Sequence, residues 1–198
     1  MKLILVRHGQ STSNAQGIIM NDACGGVHLS PRGLRQAKSA GRHLAKEKFS
    51  HIFCSPLNRA RETCAEISKY HKTRVSCVEE LREISAGKLA GTRRTRYRGE
   101  FDKAFSNPNY RIVGGESMND VAKRLKPFIR RLEKINGNQT ALIVAHNALN
   151  RVLIASLIGL PLNKCRAIKQ KNCAITIMDL ATKPPQIYTI DNSIHKIK

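Results

Sequence analysis

The sequence predicts an α/β fold built on a largely parallel sheet. Two patterns carry this prediction: apolar runs rich in β-branched residues recur along the chain, and segments with apolar residues at helical spacing separate them. The length of 198 residues and the hydrophobic share of 41% fit one domain with a substantial core. We therefore expect residues 1–198 to form a single domain, with a basic insertion at about 91–115.

The first half of the chain predicts strand, helix, strand, helix and strand in that order. A strand over Lys2–Arg7 leads into a polar, glycine-containing linker that runs through Gly25 and Gly26. Ser30 and Pro31 predict a helix start, because Ser accepts a backbone N–H there and Pro at the first helical position loses no hydrogen bond. The next elements are a strand over His51–Cys54, a helix over about 58–70 and a strand over about 74–78.

The second half begins with a basic segment that has weak periodicity. Residues 91–115 carry six Lys or Arg residues against two acidic ones, and we expect at most a short helix near 100–106. Another helix begins near Glu116 and Ser117, and Pro127 inside it predicts a kink or a packing compensation. The last elements are a strand over Thr140–Ala145 after a turn at Asn136, a helix that follows His146 and ends near Ile158, and strands over about 172–180 and 186–190.

Charge and cysteine content exclude several classes of protein. No apolar run is long enough to span a membrane, and the one at the start is too short for a secretory signal. The six cysteines lack zinc-ligand spacing, and Cys54 and Cys173 lie in apolar runs where buried free thiols are expected. We expect an intracellular, reducing compartment, cytoplasmic or organellar. The formal net charge of +21 indicates a polyanionic partner.

Ionisable side chains follow three of the predicted strands. Arg7 and His8 end the first strand, Ser55 to Arg59 follow the second, and His146 follows the fourth. Ligands of open α/β sheets bind at the carboxyl ends of strands. A single His at a strand end is more often structural, but together these groups supply two imidazoles and two guanidiniums to one rim.

This set of groups suits phosphate chemistry. Guanidinium groups bind phosphate oxygens bidentately and stay charged, and an imidazole can attack phosphorus to form a phosphoenzyme. Glu83, which follows the third strand, is the carboxylic acid best placed to protonate the leaving oxygen and later to activate water. Because Arg7, Arg59 and His146 can meet the developing charge, no metal or cofactor is required.

Five segments resemble the histidine phosphatase superfamily, in its phosphoglycerate mutase-like and fructose-2,6-bisphosphatase-like branch. The matching segments are Arg7-His8-Gly9 with Ser11 and Asn14, Ser55 to Ala60, Leu81-Arg82-Glu83, Gly114 to Ser117, and Ala145-His146 with Arg151. The resemblance implies a three-layer α/β/α sandwich, mostly parallel with one antiparallel strand. It also implies phosphorylation of His8, phosphate binding by Arg7, Arg59 and His146, acid and base catalysis by Glu83, and substrate binding by Ser11, Asn14 and Asn147.

Departures from the family pattern favour a phosphatase over a mutase. The mutase branch carries Arg-x-Tyr-Gly after its acid, where this chain has Ile84-Ser85-Ala86-Gly87. The expected substrate is a small phosphorylated molecule, with no membrane partner; the sequence indicates no particular oligomeric state. An alternative hypothesis rests on charge alone: the fold serves as a binding or structural component on RNA or a ribonucleoprotein.

Overall fold

The computed structural model describes residues 1–20, 26–135 and 137–193. The strands are β1 (Lys2–Arg7), β2 (His51–Cys54), β3 (Val75–Cys77), β4 (Thr140–Ala145), β5 (Ile175–Asp179) and β6 (Gln186–Asn192). The helices are α1 (Thr12–Gln16), α2 (Pro31–Leu44), α3 (Asn58–Ser68), α4 (Arg98–Ser106), α5 (Met118–Glu133) and α6 (Asn147–Ile158).

All six strands form one sheet in the order β3-β2-β4-β1-β5-β6. Strands β3, β2, β4 and β1 are parallel neighbours, and β5 pairs antiparallel with both β1 and β6. Strand β5 therefore runs against the other five. The predicted sheet, mostly parallel with one antiparallel strand, is confirmed.

Apolar side chains of the central strands point alternately to the two faces of the sheet, so the core has two layers. Ile4 and Val6 of β1 face α2 and α3, where they pack against small and aliphatic residues of both helices. Leu3 and Leu5 face the opposite side, where they pack against the apolar residues of α5 and α6. Because successive strand residues point to opposite faces, one apolar strand contributes to both layers. This is the expected three-layer α/β/α sandwich.

Helix starts follow the capping signals of the sequence. The Ser30 hydroxyl accepts the Gly33 N–H at 3.0 Å, with Pro31 as the first helical residue. Ser117 forms a capping box with Asp120 at the start of α5. Helix α5 continues from Met118 to Glu133 through Pro127, which is exposed on the outer face of the helix.

Three boundaries differ from the predictions. Helix α1 lies in the segment predicted as a linker, because Ser11 and Asn14 close a capping box around one turn. Strand β5 begins at Ile175 instead of residue 172, since Cys173 takes a left-handed conformation with φ 52°. Strand β3 has only three residues, all exposed at the sheet edge. Gly25 and Asn136 lie outside the described residues.

The basic segment 91–115 folds back over the loop after β1. A 3-10 turn over Arg94–Tyr97 precedes α4, and the Arg94 N–H donates to Gly17 O at 2.9 Å. Three aromatic side chains of the segment, Tyr97, Phe101 and Tyr110, pack in a small cluster with Ile19, Leu89 and Ile112. The short predicted helix is confirmed as α4, and the cluster anchors the segment beside the end of β1.

Two further expectations concern the cysteines and membranes. Cys54 and Cys173 are buried free thiols, as predicted, and Cys64 and Cys165 share that state. In the described part of the chain, no helix is both long and apolar enough to cross a bilayer.

Candidate active site

Strand register brings the predicted residues together. Arg7 at the end of β1 is level with Ala145 of β4, and Cys54 of β2 is level with Val144. The following residues therefore leave the sheet side by side: the His8 N–H donates to Ala145 O at 2.9 Å, and the Ser55 N–H donates to Val144 O at 3.0 Å. His146 directly follows β4. The ends of β1, β2 and β4 therefore meet at one edge of the sheet, as predicted.

The His8 imidazole is fully buried, and its two ring nitrogens have different surroundings. Nδ1 lies 2.6 Å from Gly9 O, and because a carbonyl can only accept, Nδ1 carries the proton. Nε2 has no hydrogen-bond partner among the described residues. Burial, and then the charges of Arg7 and Arg59, lower the pKa of His8 well below its ordinary value. His8 is thus neutral at physiological pH, with the Nε2 lone pair available.

His146 lies next to His8 and is held by a serine. The two ring centroids are 5.2 Å apart, and His146 Nε2 is 2.7 Å from Ser55 Oγ. Burial lowers the pKa of His146 well below its ordinary value, with further contributions from Arg59, His8 and Arg7. Ser55 therefore positions the second imidazole, a role that its place in the second matching segment did not specify.

Two guanidinium groups complete the centre of the site. Arg59, in the first turn of α3, is 2% exposed. The Thr63 hydroxyl donates to Arg59 O at 2.7 Å and accepts the Gly9 N–H at 3.0 Å, which ties α3 to the loop after β1. Arg7 Nη1 donates to Gln170 O at 2.6 Å. Burial lowers the pKa of Arg7 to about 10, so it stays cationic at neutral pH.

The Glu83 carboxylate lies at the start of α6, the helix that follows His146. One oxygen accepts the Leu149 N–H at 2.9 Å and the Ile84 N–H at 3.1 Å, and the other accepts the Ala148 N–H at 3.2 Å. The carboxylate thus caps the helix that follows His146. These bonds fix the orientation of the predicted acid and base relative to the second imidazole.

Arg124 of α5 holds the backbone that carries Glu83. Its guanidinium donates to Glu80 O at 2.5 Å, to Arg82 O at 2.9 Å and to Glu83 O at 3.2 Å, and it pairs with Glu116 at 2.8 Å. The sequence analysis missed this residue, because a basic residue on a predicted helix face carries no local sign of its partners.

The three predicted substrate-binding residues have different positions. Asn14 and Asn147 both line the cavity that contains Arg7 and Glu83. Ser11 does not line it: its hydroxyl is fully buried and accepts the Asn14 N–H at 3.1 Å as the cap of α1. Its role in substrate binding stays a prediction, and the structure assigns the side chain a capping role.

A cavity of about 150 Å³ beside Glu83 has a largely apolar wall. Apolar side chains from five segments line it, including Ile18, Ile84, Phe101, Met118 and Ala148. Arg94 also lines it, with its guanidinium 4.4 Å from the Phe101 ring centroid, and burial lowers the pKa of Arg94 while the Glu83 carboxylate opposes that shift. The basic insertion thus supplies one cation to the site.

The site is rich in cations and nitrogen donors. Within the ranges that the structure describes, no group of three His, Cys, Asp or Glu side chains is placed to hold a metal ion. The positive charges of Arg7 and Arg59 lie beside the His8 imidazole, and Arg94 adds a third cation to the cavity beside Glu83, which is an environment suited to a phosphate dianion.

Known proteins resemble this chain in sequence, and solved structures resemble it in fold. Phosphoserine phosphatase 1 of Hydrogenobacter thermophilus is 29% identical over 204 residues, covering 98% of this chain and 94% of that protein. A probable phosphoglycerate mutase of Erwinia tasmaniensis is 29% identical over 189 residues, covering 93% and 87%. The solved structure of a phosphoserine phosphatase mutant from Entamoeba histolytica, in complex with phosphoserine, matches with a TM-score of 0.85 at 25% identity, covering 99% of both chains.

The family model for branch 1 of the histidine phosphatase superfamily matches residues 3–193. This range includes all five segments that carried the resemblance in the sequence. The chain therefore belongs to branch 1 of the histidine phosphatase superfamily.

Proposed function

We propose that this histidine phosphatase hydrolyses a small phosphate monoester through a phosphohistidine intermediate on His8. The observation that carries the proposal is the buried Nε2 of His8, which has no partner in the described part of the chain while Nδ1 is held by Gly9 O. A neutral imidazole of fixed tautomer among guanidiniums is a nucleophile prepared for an anionic substrate.

In the first step the phosphoryl group moves from the ester oxygen to His8. Arg7, Arg59 and His146 bind the non-bridging oxygens, and His8 Nε2 attacks phosphorus. The bond between phosphorus and the ester oxygen breaks, and Glu83 gives a proton to that oxygen so that the product leaves as an alcohol. His8 now carries the phosphoryl group on Nε2 and its original proton on Nδ1, which Gly9 O continues to accept.

In the second step water takes the place of the alcohol. Glu83, now a carboxylate, accepts a proton from the water as the water oxygen attacks phosphorus. The bond between phosphorus and Nε2 breaks, its electron pair returns to the nitrogen, and inorganic phosphate leaves. Glu83 is again protonated and His8 again neutral, so the cycle closes without a cofactor.

The alcohol part of the substrate fits the cavity beside Glu83. The cavity volume of about 150 Å³ favours a small alcohol, and the apolar wall favours an alcohol with a hydrocarbon part over one that carries many hydroxyl groups. Arg94 supplies a charge that would suit an acidic substituent on that alcohol. The related phosphoserine phosphatases support a substrate of this size.

The decisive experiment replaces His8 and looks for the intermediate. We expect His8→Ala to abolish turnover of p-nitrophenyl phosphate, and wild type quenched during turnover of a radiolabelled ester to carry label that is lost in acid and retained in alkali. His43→Ala, an exposed histidine on α2, is the control and should behave as wild type. Full activity of His8→Ala, or label absent from wild type, contradicts the proposal.

Hydrolysis, and not transfer, is the expected outcome for phosphoglycerates. The chain lacks the mutase Arg-x-Tyr-Gly after Glu83 and has Ile84-Ser85-Ala86-Gly87 instead, of which Ile84, Ser85 and Ala86 line the cavity beside Glu83. Incubation with a phosphoglycerate should release inorganic phosphate faster than it forms the isomer. The opposite ratio would identify a mutase.

A second candidate function is binding to RNA or a ribonucleoprotein. The observation that favours it is the outward face of α2 and the turn that follows it, where Arg35, Lys38, Arg42 and Lys46 are all exposed and none forms an ion pair with a described residue. Such a face would bind a polyphosphate backbone by releasing counterions, so affinity would fall steeply with salt. An affinity for structured RNA that does not change with salt concentration, or that is unchanged in Arg35→Gln with Lys38→Gln, would contradict this second function.

We also infer a reducing, intracellular compartment from the buried thiols. Cys54, Cys64, Cys165 and Cys173 are all free thiols, although Cys54 and Cys64 are close enough to share a hydrogen bond. Thiol titration of the protein from its native source should find them all reduced; a disulfide among them would contradict this inference.

A further inference from the structure

We propose that Cys77 and Cys54 form a peroxide-reactive thiol pair, and that oxidation of the pair to a disulfide lowers phosphatase activity. Both cysteines line a cavity of about 600 Å³ between α3 and the edge of the sheet formed by β2 and β3. None of the catalytic steps above uses this cavity. The oxidation itself is independent of the proposed function, whereas its effect on turnover rests on that function.

Strand register places the two cysteines side by side. Cys54 of β2 and Cys77 of β3 are paired residues of neighbouring parallel strands, and next to them the Val78 N–H donates to Cys54 O at 2.9 Å. Neighbouring strands lie about 4.8 Å apart, which is within the range of about 4.4–6.8 Å between the Cα atoms of a disulfide. Because both side chains line the same cavity, they project from the same face of the sheet. A disulfide between them therefore needs no change in strand order or register.

Exposure gives the two thiols different roles. Cys77 is exposed, so an oxidant in solution reaches it first, whereas Cys54 is 1% exposed. A hydrogen bond with the Cys64 thiol, and then burial, raise the pKa of Cys54 well above its ordinary value, which keeps Cys54 in the thiol form. An accessible cysteine beside a second thiol is typical of sites where a sulfenic acid is converted to a disulfide. Cys77 is therefore the residue that peroxide oxidises, and Cys54 is the thiol that resolves it.

Hydrogen peroxide is the oxidant, and the reaction has two steps. The Cys77 sulfur attacks one peroxide oxygen, the O–O bond breaks, and Cys77 becomes a sulfenic acid while one water is released. The Cys54 sulfur then attacks the Cys77 sulfur and the S–O bond breaks, so the sulfenic oxygen takes up the Cys54 proton and leaves as a second water. The two thiols lose two electrons, and one peroxide is reduced to two waters. A thiol reductant reverses the change by thiol–disulfide exchange.

Oxidation of Cys54 acts directly on Ser55. In the reduced enzyme the Cys54 thiol donates to Ser55 O at 3.2 Å, and the Ser55 hydroxyl lies 2.7 Å from His146 Nε2. A disulfide removes the S–H donor, and it draws the two Cβ atoms to about 3.8 Å, about 1 Å less than the spacing of neighbouring strands. The residue that positions the second imidazole therefore loses one contact and is pulled toward β3.

Movement of β3 instead of β2 affects the same site. Strand β3 ends at Cys77, and the chain continues through the fully buried Leu81 to Glu83, whose carboxylate is bonded to the start of α6. A displacement of about 1 Å at reacting groups can cost about a hundredfold in rate. Because the displacement is shared between two strands, we expect kcat to fall by about tenfold or more.

Peroxide treatment of the full chain tests the inference with two separate readouts. The protein is first reduced and freed of reductant, and a small excess of hydrogen peroxide is then added. Peptide mapping by mass spectrometry should find a disulfide between Cys54 and Cys77. Over the same time course kcat for p-nitrophenyl phosphate should fall by about tenfold or more, and dithiothreitol should restore it.

Matched variants assign the effect to this pair. Cys77→Ser, at an exposed position, should keep the kcat of the reduced enzyme and resist peroxide. Cys64→Ser, the same change at the third thiol that lines the cavity, should still form the disulfide and lose activity. The inference is overturned by a loss of activity that persists in Cys77→Ser, by a disulfide that leaves kcat unchanged, or by mapping that finds no bond between Cys54 and Cys77. Failure of the proposed function is separate, because reduced wild type would then not hydrolyse p-nitrophenyl phosphate although the disulfide would still form.

Discussion

Gly33→Ala tests whether the contact between α2 and the nucleophile loop controls catalysis. A Cβ at residue 33 would lie 1.9 Å from Gln10 O and 2.8 Å from Gln10 N and C, where ordinary contact begins at 3.4 Å. The first turn of α2 and the loop must therefore separate by about 1.5 Å along that contact. Gly9 stands in the same interface, since a Cβ there would lie 2.5 Å from Gly33 O.

Separation of this size has two measurable consequences. Overpacking costs about 1–3 kcal/mol, which corresponds to a fall in Tm of about 2–12 °C for a chain of this length. The loop also carries Gly9 O, which holds His8 Nδ1, and a displacement of about 1 Å at reacting groups can cost about a hundredfold in rate. We expect kcat for p-nitrophenyl phosphate to fall by that order while the protein remains folded at 25 °C.

A second glycine provides the control. Gly99 lies in the first turn of α4, as Gly33 lies in that of α2, but a Cβ there meets nothing within 4 Å. Gly99→Ala should keep kcat and stabilise the protein by about 0.5–1 kcal/mol, because Ala restricts the unfolded chain and favours a helix. Thermal melts and initial rates measure both variants. Wild-type kcat and Tm in Gly33→Ala would refute the reasoning.

Three further predictions concern the site and its supports. Ser55→Ala leaves buried His146 Nε2 without its partner, so we expect kcat to fall about tenfold and the unfolding free energy to fall by about 1–3 kcal/mol, measured by initial rates and urea titration. Arg124→Ala should steepen the dependence of kcat on the leaving group, because it releases the backbone that holds the acid Glu83, and Arg124→Lys should recover part of the loss; a uniform loss across esters would mean that Arg124 acts on stability alone. The pKa values of His8 and His146 are lowered in the folded protein, so below about pH 6.5 these histidines bind protons in the unfolded chain but stay neutral in the folded one. The free energy of unfolding should therefore fall as the pH decreases, by up to about 1.4 kcal/mol per pH unit for each histidine. The slope should flatten in His8→Gln with His146→Gln, and an unchanged slope would show that other groups are responsible.

Local patterns were sufficient for most of the fold. The apolar runs of β1 and β4 and the caps at Ser30 and Ser117 are signals within a few residues, and each element appears where they indicate. Helix α1 was missed because five residues are too few to show helical periodicity. The late start of β5 was missed because the left-handed Cys173 depends on packing and not on a glycine or asparagine signal.

The site was predictable where strand ends determine it. Arg7, His8 and His146 follow strands that pair in register, so their proximity follows from a parallel sheet alone. Arg94 and Arg124 reach the site from segments about 86 and 116 positions after His8, and only the folded chain shows which of the many basic residues point inward.

The cap that Glu83 forms on α6 links proton transfer to a helix terminus. Each time the carboxylate gains or loses a proton in the proposed cycle, the acceptor of the Ala148 and Leu149 N–H groups changes its charge. Those two amides are therefore spectroscopic reporters of the catalytic proton, readable in an intact enzyme without a substrate analogue. Their chemical shifts should change in Glu83→Gln, which removes the charge of the acceptor, while those of the amides one turn farther along α6 should not.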